Sequence, residues 1–376
     1  MTGNRYIHAA IAADLDEEKM VFIGGSRQVG KTTLAISFLD PARLESSAYI
    51  NWDAVKNRPA LLRGELPDGK VLVFDEIHKF ARWRNLIKGF YDTEKNRRRF
   101  LVTGSARLDH YRKGGDSLQG RYHYYRLHPF TLPELGAQRG GLEQLLKFGG
   151  FPEPLFRGEE RFWRRWQAER LERVVYEDLR DLEHVREISL IELLLSALPE
   201  RVGSPLSVKS VRELLTVAHE SVERWITILE NLYVCFRIPP YGSTRIRAVK
   251  KEQKLYFWDW SQAPEGGPRF ENLVASHLLK YCHFLRDTEG FRMELRFIRD
   301  TDKREIDFVV LKNGRPEFAV ECKSGDRTLC PVIAYFRERT PIPRSYQAHL
   351  GSRVEGTPER GRIVSFEKFC HEMSLV

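Results

Sequence analysis

The sequence predicts an α/β protein in three parts: a parallel-sheet domain built around a phosphate-binding loop, a mostly helical middle, and a smaller α/β domain. Three observations predict it. Val21-Phe22-Ile23-Gly24-Gly25-Ser26-Arg27-Gln28-Val29-Gly30-Lys31-Thr32-Thr33 fits the spacing G-x-x-x-x-G-K-[ST], with Gly25, Gly30, Lys31 and Thr32 at the fixed places. Val71-Leu72-Val73-Phe74 runs straight into Asp75-Glu76, the pattern of a strand buried on both faces with acids at its end. Far downstream, two apolar strand-like runs carry Asp307, Glu321 and Lys323 on their polar side.

Composition sets the frame. The 376 residues suffice for two or three domains, and 42% apolar with 30% charged content describes a folded chain, not a disordered one. A net charge of +9 suits a polyanionic partner. Cys235, Cys282, Cys322, Cys330 and Cys370 form no C-x-x-C pair and read as thiols of a reducing cytoplasm. The start lacks the apolar core of a secretion signal, and we find no membrane-spanning run and no internal repeat. A cytoplasmic location without membrane contact is the expectation.

In residues 1–150, the loop lies between an apolar β-like run and the helix-like Thr33 to Leu39. Glycines let the backbone wrap phosphate oxygens, so that the N–H groups of Gly25 to Thr33 and the helix start face the anion. ATP is the expected ligand, with Lys31 on its β- and γ-phosphates and the Thr32 hydroxyl on Mg²⁺. Asp75 is expected to share that Mg²⁺, and Glu76 to orient the attacking water. Phe100-Leu101-Val102-Thr103-Gly104-Ser105 reads as a further buried strand, and a hydroxyl of Thr103 or Ser105 is a candidate γ-phosphate sensor. Arg107 and Arg121 are candidates for a charge-stabilising arginine finger.

Gly25 to Thr32, Asp75-Glu76, Thr103-Gly104-Ser105, Gly120-Arg121 and Phe148-Gly149-Gly150-Phe151-Pro152 occur in this order, and the order resembles a family of prokaryotic AAA+-type P-loop ATPases. The resemblance implies a C-terminal domain of nuclease-like fold behind the ATPase.

Residues 151–263 read as mostly helical. Phe162, Trp163 and Trp166 sit on a charged helix and are expected to pack against the ATPase domain. Ser207 to Leu215 and Ser221 to Asn231 form a helix-turn-helix pattern, the second helix burying Val222, Trp225, Ile226 and Leu229. Strand-like runs at Tyr233 to Ile238 and Lys254 to Asp259 bracket the basic Arg245 to Lys251, an order that resembles a winged helix. Glu220, Glu223 and Glu230 on the second helix oppose sequence-specific groove reading, because carboxylates repel phosphates.

Pro264-Glu265-Gly266-Gly267-Pro268 marks a linker, after which residues 264–376 begin with an amphipathic helix containing Glu271. Ile306, Phe308 and Val310 share one face, as do Phe318, Val320 and Cys322. A two-residue turn at Asn313-Gly314 would aim Glu321 away from Asp307, so bringing both acids to one point requires an extra residue near 313–317. Helix glutamate, strand aspartate and E-x-K together resemble the PD-(D/E)xK nucleases. That resemblance implies Asp307 and Glu321 as Mg²⁺ ligands, Lys323 as the group orienting water and Glu271 as a helper. The reading is therefore a Mg²⁺-dependent ATPase coupled to winged-helix and nuclease-like modules, acting on DNA without strong sequence specificity and able to form homo-oligomers. The alternative is an ATP-driven protein-interaction switch or antitoxin-like scaffold whose nuclease fold does not cut.

Overall fold

A computed structural model describes residues 5–39, 48–104, 118, 120–136, 140–173, 176, 188–242, 252–325 and 327–376. Ser105, Arg107 and the basic run 245–251 lie outside the described residues. The chain divides into two compact units, residues 1–128 and 129–376.

The first unit opens with α1 (His8–Asp16), followed by β1 (Met20–Gly25) and α2 (Lys31–Ile36). Then come β2 (Tyr49–Asn51), β3 (Val71–Asp75), α3 (Trp83–Glu94), β4 (Arg99–Thr103) and β5 (Tyr122–Leu127). Its five strands are all parallel, in the order β2-β3-β4-β1-β5. Helical crossovers cover both faces of such a sheet, which explains the unbroken apolar runs. Val21, Ile23, Leu72, Val73, Phe74, Leu101 and Val102 are all fully buried. Each large apolar side chain hidden in this way contributes about 1.5–3 kcal/mol. Because every strand runs the same way, the ends of β1, β3 and β4 meet along one edge. Register sets Thr103 beside both Ile23 and Asp75, so β4 lies between the loop strand and the acidic strand.

The second unit begins with short helices, then α4 (Glu160–Arg173). Trp166 lies 5.2 Å from the Phe151 ring, and the Trp163 indole N–H donates to Ser261 Oγ at 3.1 Å. These partners belong to the second unit itself. Next are α5 (Val208–Leu215) and α6 (His219–Asn231), followed by the antiparallel pair β6 (Cys235–Ile238) and β7 (Lys254–Phe257). Val222, Trp225, Ile226 and Leu229 are buried, as the 3.6-residue period requires.

A 23-residue helix, α7 (Gly267–Glu289), leads into β8 (Met293–Arg299), β9 (Glu305–Lys312) and β10 (Arg315–Lys323). The chain continues with α8 (Pro331–Arg339), β11 (Ser345–His349), β12 (Glu355–Thr357), β13 (Gly361–Ser365) and α9 (Phe366–Glu372). The sheet order is β12-β13-β11-β10-β9-β8, with β8, β9 and β10 an antiparallel meander and β10, β11 and β13 parallel. Between β9 and β10 the register shifts at Pro316 to Phe318. Phe308 pairs with Val320 beyond the shift, and one further step sets Asp307 opposite Glu321. This is the extra residue that hairpin parity demands, and it comes where Pro316 has no N–H to pair. Among the described residues no helix is long and apolar enough to cross a membrane. Among the described residues no cysteine is joined in a disulfide.

Candidate functional site

The phosphate loop leaves β1 at Gly25, whose φ is +136°. A Cβ there would stand 2.4 Å from the Leu127 carbonyl oxygen, so glycine is required by contact as well as by conformation. Gly30, at φ +99°, caps α2 in the left-handed region, and Gln28 also has positive φ at +61°. Ser26, Arg27 and Val29 complete the turn, and Thr33 stands in the first turn of α2. Lys31 is buried, its ammonium donating to the carbonyl oxygens of Gly25 at 3.0 Å and Ser26 at 2.7 Å. Behind the loop, the buried Arg5 donates to Val29 O at 3.0 Å and to His128 O, clamping the loop onto the end of β5. Nothing in the sequence singled out Arg5, because its partners are carbonyls that carry no sequence signature.

Asp75 ends β3 inside a ring of hydroxyls. Thr32 Oγ1 donates to its Oδ2 at 2.9 Å, Tyr49 OH donates to the same oxygen at 2.7 Å, and Thr103 Oγ1 donates to Oδ1. Burial, with the Asp75 charge beside it, holds the Tyr49 phenol well above its ordinary pKa, so it remains a donor. Thr103 is fully buried with its hydroxyl turned onto Asp75. In this structure it orients the carboxylate; a sensor facing phosphate would need that hydroxyl elsewhere.

Glu76 follows at φ +56°, a conformation that strains a residue with a Cβ. Its carboxylate lies 3.4 Å from Lys79 Nζ and 3.7 Å from Nε2 of the buried His78. Arg121 is placed away from this edge. It stands just before β5, and the parallel register pairs Met20 with Tyr122 and Gly25 with Leu127. Arg121 is thus at the opposite edge of the sheet from the loop, about 20 Å away by strand rise alone, and pairs with Asp92 at 2.9 Å. It cannot reach the phosphate loop of its own chain.

In the second unit the structure brings Glu271, Asp307, Glu321 and Lys323 together, and adds two residues the sequence did not single out, Lys254 and Glu305. Asn272 on α7 fixes the geometry: its amide accepts from Phe257 N–H and donates to Phe257 O, both at 2.8 Å. This pins β7 against α7, and strand alternation turns Lys254 and Tyr256 to one face. Tyr256 OH donates to Glu271 Oε1 at 2.7 Å. The fully buried Lys254 ammonium lies 2.5 Å from Glu305, 3.1 Å from Glu271 and 3.3 Å from Asp307. Burial opposes its charge, but Glu271, Asp307 and Glu305 together hold its pKa above the lysine value. Burial and the Asp307 charge raise Glu271 to about 7 and Glu321 to about 8. Lys323 donates to Glu321 Oε1 at 2.6 Å, while Glu321 Oε2 is buried with no hydrogen-bond partner. Among the described residues no group of three or more His, Cys, Asp and Glu stands where it could hold a metal ion. As placed, these carboxylates surround an ammonium and do not fit the implied Mg²⁺.

Three family models match the chain in succession: an AAA domain over residues 17–136, a domain of unknown function (DUF8612) over 139–263, and another (DUF4143) over 266–369. Two relatives come from Methanocaldococcus jannaschii. The uncharacterized protein MJ1544 is 23% identical over 81% of this chain and 75% of its own length. The uncharacterized protein MJ1637 is 24% identical over 85% and 78%. The sheet, the loop and the family match together make the N-terminal part a P-loop domain of the AAA type, a domain class tied to nucleotide binding and ATPase activity.

Proposed function

We propose that the chain is a Mg²⁺-dependent ATPase whose nucleotide lies against Gly25 to Thr33. One observation carries the reading: Thr32 Oγ1 donates to Asp75 Oδ2 at 2.9 Å. A hydroxyl has one hydrogen and two lone pairs, so giving the hydrogen to Asp75 leaves oxygen lone pairs for a cation. With the carboxylate beside it, Thr32 offers the hard oxygen donors that Mg²⁺ takes. Lys31 would exchange its two loop carbonyls for phosphate oxygens, which accept a stronger, charge-assisted bond. When bound, the metal nucleotide supplies a γ-phosphoryl group whose charge is drawn toward the cation. Glu76, released from Lys79, would hold the attacking water, and Thr103 would keep Asp75 in place. Phosphate release is the test. Lys31→Ala should abolish it, whereas Glu76→Gln should still bind labelled ATP but turn over on the order of 100-fold more slowly. Near-wild-type turnover in Glu76→Gln removes Glu76 from the role.

For the rest of the chain we read residues 151–263 as a winged-helix-like domain and 264–376 as a nuclease-like one, behind an ATPase domain of residues 1–150. The order α5, α6, β6, β7 supports the winged-helix-like reading, and the β9–β10 register shift supports the nuclease-like one. DNA is the partner favoured by the net charge of +9. Glu223 and Glu230, which argued against groove reading, are held by Arg237 at 2.7 and 2.8 Å, which reduces their repulsion of phosphates. A gel shift that weakens steeply with salt supports a phosphate-driven contact, and salt-independent retention excludes it. The second reading, a protein-interaction switch with a non-cutting fold, is favoured by Lys254 lying among the carboxylates.

A further inference from the structure

The C-terminal carboxylate pocket contains a positive charge of its own, and that charge comes from another part of the chain. Lys254 belongs to β7, within the stretch matched by one family model, while Glu271, Glu305 and Asp307 belong to the next. Its ammonium has three hydrogens, and three carboxylates lie within 3.3 Å of it. The Phe297 ring closes another side at 5.6 Å. Two of the remaining oxygens are also engaged. Asp307 Oδ2 accepts from Cys322 N–H at 2.8 Å, Glu305 Oε2 accepts from Arg299 at 2.9 Å, and Glu271 Oε1 accepts from Tyr256 as well. Only Glu321 Oε2 is buried without a hydrogen-bond partner in this group. A Mg²⁺-like ion needs about six oxygens at about 2.0–2.1 Å in near-octahedral array, and it would stand against a fixed ammonium of like charge.

We propose that Lys254 is the resident cation of this pocket. Its ammonium stands in for the divalent metal that the nuclease resemblance implies, and the pocket serves as a latch joining β7 to the C-terminal sheet. Lys254 neutralises Asp307 and Glu271 permanently, so the folded module has no use for a metal there. This inference does not depend on the ATPase reading.

Mn²⁺ binding to the full chain tests it, by paramagnetic resonance and calorimetry without nucleotide. The Lys31→Ala background removes any contribution from a nucleotide carried over at the loop. The parent should show no Mn²⁺ site that Asp307→Asn removes, up to about 1 mM. Lys254→Met should gain one Mn²⁺ site at least about tenfold tighter, and Lys254→Met with Asp307→Asn should lose it again. Lys254→Arg, which keeps the charge, should bind like the parent. An Asp307-dependent Mn²⁺ site in the parent overturns the proposal, as does a folded Lys254→Met protein that gains none. Should Lys254→Met fail to fold, the parent and its Asp307→Asn variant decide alone: superimposable Mn²⁺ isotherms support the latch, and a site lost on substitution overturns it.

Discussion

His277, on the buried face of α7, offers a pH test of the fold with a magnitude that follows from its two hydrogen bonds. Its Nδ1–H donates to Leu273 O at 2.8 Å, while its Nε2 accepts from the Leu132 N–H at 3.0 Å. The ring is fully buried and edge-on to Phe366 at 5.0 Å. Both nitrogens are therefore committed to the neutral tautomer. A second proton would put an Nε2–H against the Leu132 N–H, in a fully buried site. Burial, helped by the Lys280 charge, lowers the imidazole pKa to about 3. The unfolded chain takes up that proton near pH 6.5 and the folded chain does not, so stability is complete above that pH and falls as acid is added. The slope is about 1.4 kcal/mol per pH unit, giving a loss of about 2 kcal/mol between about pH 7 and about pH 5. The loss levels off only below the folded pKa. His277→Gln keeps an amide donor and acceptor but cannot titrate. It should be less stable near neutrality and lose about 2 kcal/mol less than wild type over the same pH step, measured by hydrogen exchange of α7 amides. Equal losses in the two proteins, or an imidazole carbon resonance titrating near pH 6.5, would refute the reasoning.

Two further outcomes concern the nucleotide edge. Thr103→Val removes the buried hydroxyl from Asp75 and should lower ATP turnover at limiting Mg²⁺, with Thr103→Ser restoring it; equal turnover across a Mg²⁺ titration would show that Thr103 does not position Asp75. Arg121→Ala should leave turnover per chain within about twofold of wild type in dilute solution, since Arg121 stands at the far edge of the sheet. A large drop in a dilute monomer contradicts that placement, whereas a drop that grows with protein concentration identifies Arg121 as acting on a neighbouring copy.

The loop was legible because phosphate binding needs fixed chemistry at fixed spacing: Gly25, Gly30, Lys31 and Thr32 are local to one another. Hairpin parity was legible for the same reason, since the Asn313-Gly314 turn and Pro316 sit beside the residues they set in register. Gln119-Gly120-Arg121 offers a finger candidate by residue type alone, whereas strand direction decides where Arg121 stands in its own chain. Lys254 was hidden by distance. It meets Glu271 across 17 positions and Asp307 across 53, and a lone lysine in an apolar strand gives no hint of either. The same holds for Gly149 and Gly150, which the sequence offered only as part of a motif. A Cβ at Gly149 would stand 2.3 Å from Asp259 Oδ1, and one at Gly150 2.3 Å from Phe130 O. Their reason lies in a close approach made by the fold.

The two carboxylate sites share their parts, yet the source of positive charge sets their chemistry apart. Every side chain bonded to Asp75 among the described residues is a hydroxyl, from Thr32, Tyr49 or Thr103. Hydroxyls orient a carboxylate and leave its charge in place, so a cation approaching that edge meets a full negative charge with oxygen lone pairs beside it. At Asp307 the partner is an ammonium with no exposed surface, and the carboxylate charge is already met. Counting Glu271, Glu305, Asp307 and Glu321 against Lys254, Lys323 and Arg299 leaves a formal charge of −1 (four acids less three bases) over a partly buried site, and the Glu321 carboxyl, raised to about 8, brings it nearer zero at neutral pH. An added divalent ion would turn that balance positive around a fully buried ammonium, which is unfavourable. Mg²⁺ dependence in this protein should accordingly trace to Thr32 and Asp75. Any Mg²⁺ effect that survives Thr32→Val together with Asp75→Asn, but disappears with Asp307→Asn, would mean that charge balance does not govern where the ion goes.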